Sequence, residues 1–239
     1  TGKFAASIAN GTSSRILLRE SPFDGLATTN PPMQRQPDAQ FQHHNAAYPG
    51  VVLEISYSQN GKDLDRLAWD YILKSNGDIR VVIGIDLDYG GTNVSSVSVW
   101  RAVFLREEGE ELESLDVKRE ITCQPFRNAD RSRVNQSAKL DLYLDEFATD
   151  ALPDKCERIL FSMTFEKLAE LLDKAEGIHE AREAGQIGKG IRSKPRTRKR
   201  KRSSSPVDAL RSEDEEVFRD REQRTAQRSA ASDSDFEVS

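Results

Sequence analysis

The sequence predicts a mixed α/β domain, because two apolar strands flank an amphipathic helix and alternating strands follow them. Nearly continuous apolar runs occur at residues 51–58 (VVLEISYS) and 79–87 (IRVVIGIDL), as in strands that are buried on both faces. Between them, residues 62–74 have apolar side chains at helical spacing, and Asn76-Gly77 is a typical helix stop. This strand, helix, strand order predicts a parallel pair of strands covered by helices.

Further elements extend this core. Periodicity predicts a helix from about 164 to 184 whose apolar stripe consists of Phe161, Phe165, Leu168, Leu172 and Ala175. We expect Trp100 to pack at an edge of the sheet. Residues 107–116 are acidic and predict a solvated loop. Additional strands are predicted at residues 39–42, 94–104, 117–123 (an edge strand) and 140–147.

Charge is distributed unevenly along the chain. Eight of the eleven residues at 192–202 are basic, whereas residues 208–239 contain ten acidic and five basic residues. Since the whole chain has a net charge of −5, residues 1–191 carry about −8, which argues against a broad phosphate-binding surface there. We therefore expect a flexible N-terminus (1–14), the α/β domain (15–150), a helical extension (151–190) and a disordered basic-then-acidic tail (191–239).

Several classes of protein are disfavoured. Cys123 and Cys156 lack the spacing and companion ligands of a structural zinc site, and a reducing compartment is a simpler interpretation than a disulfide framework. No apolar run approaches the roughly 18 residues of a membrane span, so no membrane is expected as a partner.

Asp38 and Glu54 are the strongest candidates for a chemical site. Asp38 precedes the short 39–42 strand, and Glu54 lies within an apolar strand, where a carboxylate is costly to bury unless it is paired, hydrogen-bonded or metal-bound. If the two strands pair, both carboxylates can point to one site. Two such carboxylates can hold Mg²⁺ and leave coordination positions for phosphate and water.

These residues resemble the motif of the PD-(D/E)XK, or restriction-endonuclease-like, superfamily. Pro37-Asp38 is followed by Glu54-Ile55-Ser56, in which Ser56 occupies the lysine position, and the order of elements over residues 36–150 also matches. The chain is also similar to uncharacterised fungal nuclear proteins of that type with the core YPGVVLEISYSQ…DRLAWDYI…IRVVIGIDLDYG…SVWR. The resemblance implies a restriction-endonuclease-like mixed sheet flanked by helices, and a Mg²⁺-dependent nuclease that acts on DNA phosphodiester bonds.

The resemblance also implies site roles. Asp38 and Glu54 would be catalytic and would bind Mg²⁺, and Ser56 would line the site without supplying positive charge. A more distantly similar bacterial family of endonuclease-like proteins carries its lysine on the following helix. Lys62, at the start of the predicted helix, is therefore the better candidate for an assisting base, ahead of Arg66.

Each of these residues also has a plainer interpretation. Asp38 serves equally well as a turn or cap residue. Glu54 is also explained by an ion pair with an arginine such as Arg80 or Arg101. Lys62 then becomes a solvated helix-start residue. With those roles the domain is a non-catalytic nuclear interaction or scaffold protein that retains the nuclease fold.

The tail predicts nuclear localisation. Dense positive charge of this kind is typical of a nuclear-localisation signal bound by an import receptor, or of a nucleic-acid patch. A solvated linker is the plainer alternative, and a DNA-binding regulator that uses this run alone would show steep salt dependence. The residues of the signal are Lys194, Arg196, Arg198, Lys199, Arg200, Lys201 and Arg202.

Overall fold

The computed structural model describes residues 2–19, 31–57, 63–87, 94–106, 108–109, 113–149, 152 and 158–184. Three expectations from the sequence lie outside these residues: the position of Lys62, the disordered tail and the basic run within it. Residues 1–187 form one compact unit by themselves.

Strands dominate the described part of the chain. Its helices are α1 (Gly2–Ala6), α2 (Leu64–Lys74), α3 (Phe165–Glu183) and a 3-10 helix at Leu144–Phe147. Its strands are β1 (Ile8–Asn10), β2 (Ile16–Leu18), β3 (Met33–Arg35), β4 (Ala39–His43), β5 (Val51–Tyr57), β6 (Val81–Leu87), β7 (Ser95–Leu105), β8 (Ser114–Arg127), β9 (Lys139–Tyr143) and β10 (Leu160–Thr164).

The central sheet has six strands in the order β1-β4-β5-β6-β7-β8. Its β5 and β6 are parallel, and every other neighbouring pair is antiparallel. The mixed α/β sheet and the parallel pair on either side of α2 are therefore confirmed. Two smaller antiparallel pairs, β2 with β3 and β9 with β10, accompany this sheet.

Helices cover both faces of the β5–β6 pair, because side chains alternate between the faces along each strand. On one face Phe165, Leu168 and Ala169 of α3 are buried. They pack with the strand residues Val51, Val81, Ile83, Val97 and Val99. On the other face Ala68, Tyr71 and Ile72 of α2 are buried. They pack with Val52, Ile79, Val82, Trp100 and Val117.

The ends of α2 follow from its flanking residues. The Asp63 side chain accepts a hydrogen bond from the Arg66 backbone N–H at 3.0 Å, which caps the start of the helix. At the other end Asn76 (φ 55°) and Gly77 (φ 77°) adopt the left-handed conformation, and the Gly77 N–H donates to the Ile72 carbonyl at 2.9 Å. The predicted helix stop is confirmed.

The helix predicted after residue 150 is present as α3. Thr164 caps α3 and Phe165 begins it, close to the predicted start, whereas Phe161 belongs to β10. Besides its apolar contacts, α3 is bound by Arg127 of β8, which is 2% exposed and pairs with Asp173 and Glu176. The helix is thus part of the domain core.

Other differences concern the N-terminus and the later strands. Residues 2–10, expected within a flexible segment, form α1 and β1, and Phe4 is buried with its ring 5.0 Å from that of His43. The expected acidic loop at 107–116 overlaps the start of β8 at Ser114. The predicted edge position of β8 is confirmed.

Trp100 does not lie at the sheet edge, because β7 is an interior strand between β6 and β8. Its side chain is 2% exposed under α2, and its Nε1 donates to Asp65 at 2.8 Å. Burial raises the pKa of Asp65, but hydrogen bonds from Arg119 and Trp100 outweigh burial and hold that pKa below its ordinary value. None of the helices in the described residues has the length and apolar character that crossing a membrane requires.

The side chains of Trp100 and of Leu64 on α2 lie directly against Gly84, and this predicts the effect of adding a methyl group at that position. A Cβ on Gly84 would lie 2.8 Å from Trp100 Cζ3 and 3.1 Å from Leu64 Cδ1. We expect Gly84→Ala to destabilise the fold by about 1–3 kcal/mol in denaturant unfolding, because the buried indole must move. Gly177→Ala is the control, since nothing lies within 4 Å of its added methyl group. It should be stabilising by up to about 1 kcal/mol; equal effects of the two changes would contradict the packing described here.

Candidate functional site

The sheet face under α2 changes from apolar to polar along β5 and β6. In the apolar part Val82 lies between Val52 and Trp100. The next two rows across β5, β6 and β7 are Glu54–Gly84–Ser98 and Ser56–Asp86–Ser96. These polar rows lie towards the carboxyl ends of the parallel strands, which is where open α/β sheets bind their ligands.

Glu54 is buried in this polar part and is held by α2. Its side chain is 3% exposed, and Tyr71, which is 0% exposed, donates its hydroxyl to Glu54 Oε1 at 2.7 Å. Burial raises the pKa of the Tyr71 phenol far above its ordinary value, and the hydrogen bond and the charge of Glu54 raise it further. The phenol therefore stays protonated and acts as a fixed donor to the carboxylate.

Asp38 lies directly before β4, beside Glu54 of the neighbouring strand. The antiparallel register pairs Ala39 with Leu53, so continuing it by one residue places Asp38 opposite Glu54. Asp38 is exposed, and its Oδ2 accepts the backbone N–H of Ile55 at 2.7 Å. The expected pairing of these two strands is confirmed, and it brings the two carboxylates onto neighbouring strands. The hydrogen bond also gives Asp38 the capping role that was its plainer interpretation.

Ser56 is 1% exposed and shares the face of Glu54, as the period of two requires. In the parallel register it lies beside Asp86. The position of Lys62 is outside the described residues, so its part in the site stays a prediction.

The two arginines suggested as partners for Glu54 have contacts of their own. Arg101 binds the carboxylates of Glu120 and Glu146. The guanidinium of Arg80 lies 5.2 Å from the ring centre of Phe104.

Sequence reasoning missed three residues of this region. Asp86 carries the same signal as Glu54, a carboxylate inside an apolar strand (IGIDL), and was overlooked. Tyr71 was assigned to the apolar stripe of its helix, although a buried tyrosine hydroxyl requires a partner. Arg35 binds Asp70 on α2, and Lys74 binds the same carboxylate at 3.4 Å. Nothing in the sequence around Arg35 indicates that contact.

The site offers carboxylate oxygens as possible ligands for a divalent cation. Among the described residues, no group of three or more His, Cys, Asp or Glu side chains could hold a metal ion. Asp38 and Glu54 nevertheless supply two carboxylates from adjacent strands. Mg²⁺ uses one or two carboxylates in this manner, together with retained waters and substrate phosphates. Carboxylate oxygens of this kind are among the ligands that an incompletely enclosed Mg²⁺ uses.

Comparisons with known proteins give no match: no family model, no curated protein and no solved structure corresponds to this chain. The interpretation of the site therefore depends on its own geometry.

The Tyr71–Glu54 hydrogen bond predicts a pH dependence of stability. A phenol whose pKa is raised in the folded state stabilises the fold fully below its unfolded value of 10.0 and loses that contribution as the pH rises towards the folded value. We expect the free energy of unfolding of the wild type to fall above pH 10 by up to about 1.4 kcal/mol per pH unit from this group. The slope should be shallower in Tyr71→Phe, which should also cost about 1–3 kcal/mol at neutral pH.

Denaturant unfolding at several pH values between 8 and 11 measures both effects. Tyr57→Phe is the matched control, because the Tyr57 side chain is 63% exposed, and it should keep the wild-type slope. Identical slopes for the wild type and Tyr71→Phe would show that the Tyr71 phenol does not hold its proton more tightly in the folded state.

Proposed function

We propose that this protein is a Mg²⁺-dependent nuclease-like protein that acts on DNA phosphodiester bonds through a restriction-endonuclease-like core. The observation that carries the proposal is the position of Asp38 opposite Glu54 on the antiparallel β4–β5 pair. The chain order β5, α2, β6, with β5 and β6 parallel, supports the same assignment. The two polar rows of the sheet that contain Glu54 and Ser56 also support it.

The residues of the chain have distinct roles in this proposal. Asp38 and Glu54 would hold the ion, which when bound polarises the phosphate and lowers the pKa of a coordinated water. The Tyr71 hydroxyl keeps the Glu54 carboxylate in one orientation, and the Ile55 N–H does the same for Asp38. Ser56 would line the site, and Lys62, which precedes α2 in the sequence, would assist. Preorganisation of this kind spares the site from reorienting its ligands during the reaction.

Cleavage assays on isosteric variants test the proposal. We expect Mg²⁺-dependent cleavage of DNA by the wild type, and a loss of about 100-fold or more in Glu54→Gln and Asp38→Asn, because each change removes a charged ligand. Asp130→Asn is the matched control for Asp38, since Asp130 is also exposed and accepts a backbone N–H, that of Ser132, at 2.9 Å. Thermal unfolding should show all three variants folded.

A second candidate function is a non-catalytic nuclear interaction or scaffold protein that retains the fold. The buried serine at position 56 favours it, because the resemblance implies a lysine there and serine carries no charge. No cleavage of single-stranded or double-stranded DNA or RNA, with Mg²⁺ or with Mn²⁺, would reject the nuclease proposal and leave this candidate.

We also propose that the protein is nuclear and that residues 194–202 are bound by an import receptor, on the basis of their charge density. Because a 26.9 kDa chain is small enough to diffuse, the localisation test uses a fusion to a large reporter. Deleting residues 194–202 should move the fusion from the nucleus to the cytoplasm. Deleting the nine residues 229–237 of the acidic end is the control and should leave it nuclear. Nuclear accumulation without residues 194–202 would contradict the assignment.

A further inference from the structure

We propose that Arg35 is the cation that binds the phosphate of the substrate at the Asp38–Glu54 site. This inference depends on the proposed function for the kind of substrate. It assigns to Arg35 the positive charge that Ser56 does not supply.

Arg35 lies close to Asp38 in the sequence and is bonded to the helix that covers Glu54. Arg35 ends β3, three residues before Asp38, and its Nη2 bonds Asp70 on α2. The next helix residue is Tyr71, which donates to Glu54. The segment that leads into Asp38 and the helix that covers Glu54 are thus joined through the Arg35 guanidinium.

The guanidinium has bonding capacity beyond the contact with Asp70. Arginine carries five N–H donors. Its Nε is buried and makes no hydrogen bond to the residues that the structure describes. A buried charged donor without a partner is costly. The side chain as a whole is 26% exposed, so an anion from solvent can reach part of the group.

Electrostatics agree with this placement. Burial and Glu54 dominate the upward shift in the Tyr71 pKa, but Arg35 acts to lower that pKa and Asp38 acts to raise it. Both charges therefore lie within electrostatic reach of the phenol that binds Glu54.

A phosphodiester site needs such a charge. The two carboxylates carry a charge of −2, which a Mg²⁺ ion would neutralise without leaving a net positive charge to bind the anionic substrate. A guanidinium binds phosphate through parallel N–H donors, which supplies direction as well as charge. Arg66, the other arginine considered for the site, has a side chain that is 71% exposed and pairs with Asp63.

The test measures binding of a single phosphodiester by the full-length protein. The probe is the dinucleotide TpT, which carries one phosphate and so makes little use of the multivalent basic tail. Titration calorimetry with Ca²⁺ in place of Mg²⁺ keeps turnover low. We expect Arg35→Gln to weaken TpT binding by about tenfold, as expected for a charge-assisted pair. Arg35→Lys, which keeps the positive charge, should recover part of the affinity.

Arg131→Gln is the matched control, because it also removes one charge from an ion pair, that with Glu180 on α3. It should bind TpT like the wild type. Thermal unfolding establishes that each variant is folded. Equal TpT affinity in the wild type and Arg35→Gln, or no TpT binding by the wild type, would overturn the role of Arg35.

These outcomes are separable from a failure of the proposed function. If Glu54→Gln abolishes DNA cleavage while Arg35→Gln binds TpT normally and cleaves at the wild-type rate, the nuclease proposal stands and the inference about Arg35 fails. If the wild type cleaves nothing but loses TpT affinity in Arg35→Gln, the inference stands and the site binds phosphodiesters without hydrolysing them.

Discussion

Burial of the β5–β6 pair on both faces is the constraint on which the rest of the domain depends. A parallel pair needs a crossover connection, and its two apolar faces need cover, so α2 lies on one side and α3 on the other. Gly84 follows from the same constraint, because Trp100 and Leu64 occupy the space where its side chain would be. The buried Arg127 of β8 pairs with Asp173 and Glu176, and these ion pairs hold α3 on the sheet in addition to its apolar contacts.

Within this enclosed pair, Glu54 is a buried charged side chain. A buried carboxylate costs several kcal/mol unless hydrogen bonds replace its water, and Tyr71 supplies one from the covering helix. The helix is thereby joined to the strand by a directional bond as well as by apolar packing. The same bond gives the carboxylate a single orientation. Stability and a preorganised site therefore depend on one contact.

Local patterns predicted the β5–α2–β6 unit and the end of α2, because apolar periodicity and the Asn76-Gly77 stop are signals within short segments. Non-local contacts were not predictable in this way. Trp100 was expected at an edge because its sequence does not reveal that β8 pairs with its strand. The place of α3 in the core depends on Arg127, 38 residues before Phe165. For the site, Glu54 was recognisable as a carboxylate in an apolar run. The hydrogen bond from Tyr71 to it was not, because Tyr71 falls among the apolar residues of its helix.

The charge of the folded part limits how it can bind a phosphodiester. With a net charge of about −8 over residues 1–191, long-range attraction of nucleic acid by this part is unfavourable. Under the proposed function, positive charge would then act at short range, from a metal that Asp38 and Glu54 would hold and from the guanidinium of Arg35. The basic run at residues 192–202 would raise the local concentration of nucleic acid. In this proposal, steering of the nucleic acid is assigned to the basic run and positioning of the phosphate to Arg35.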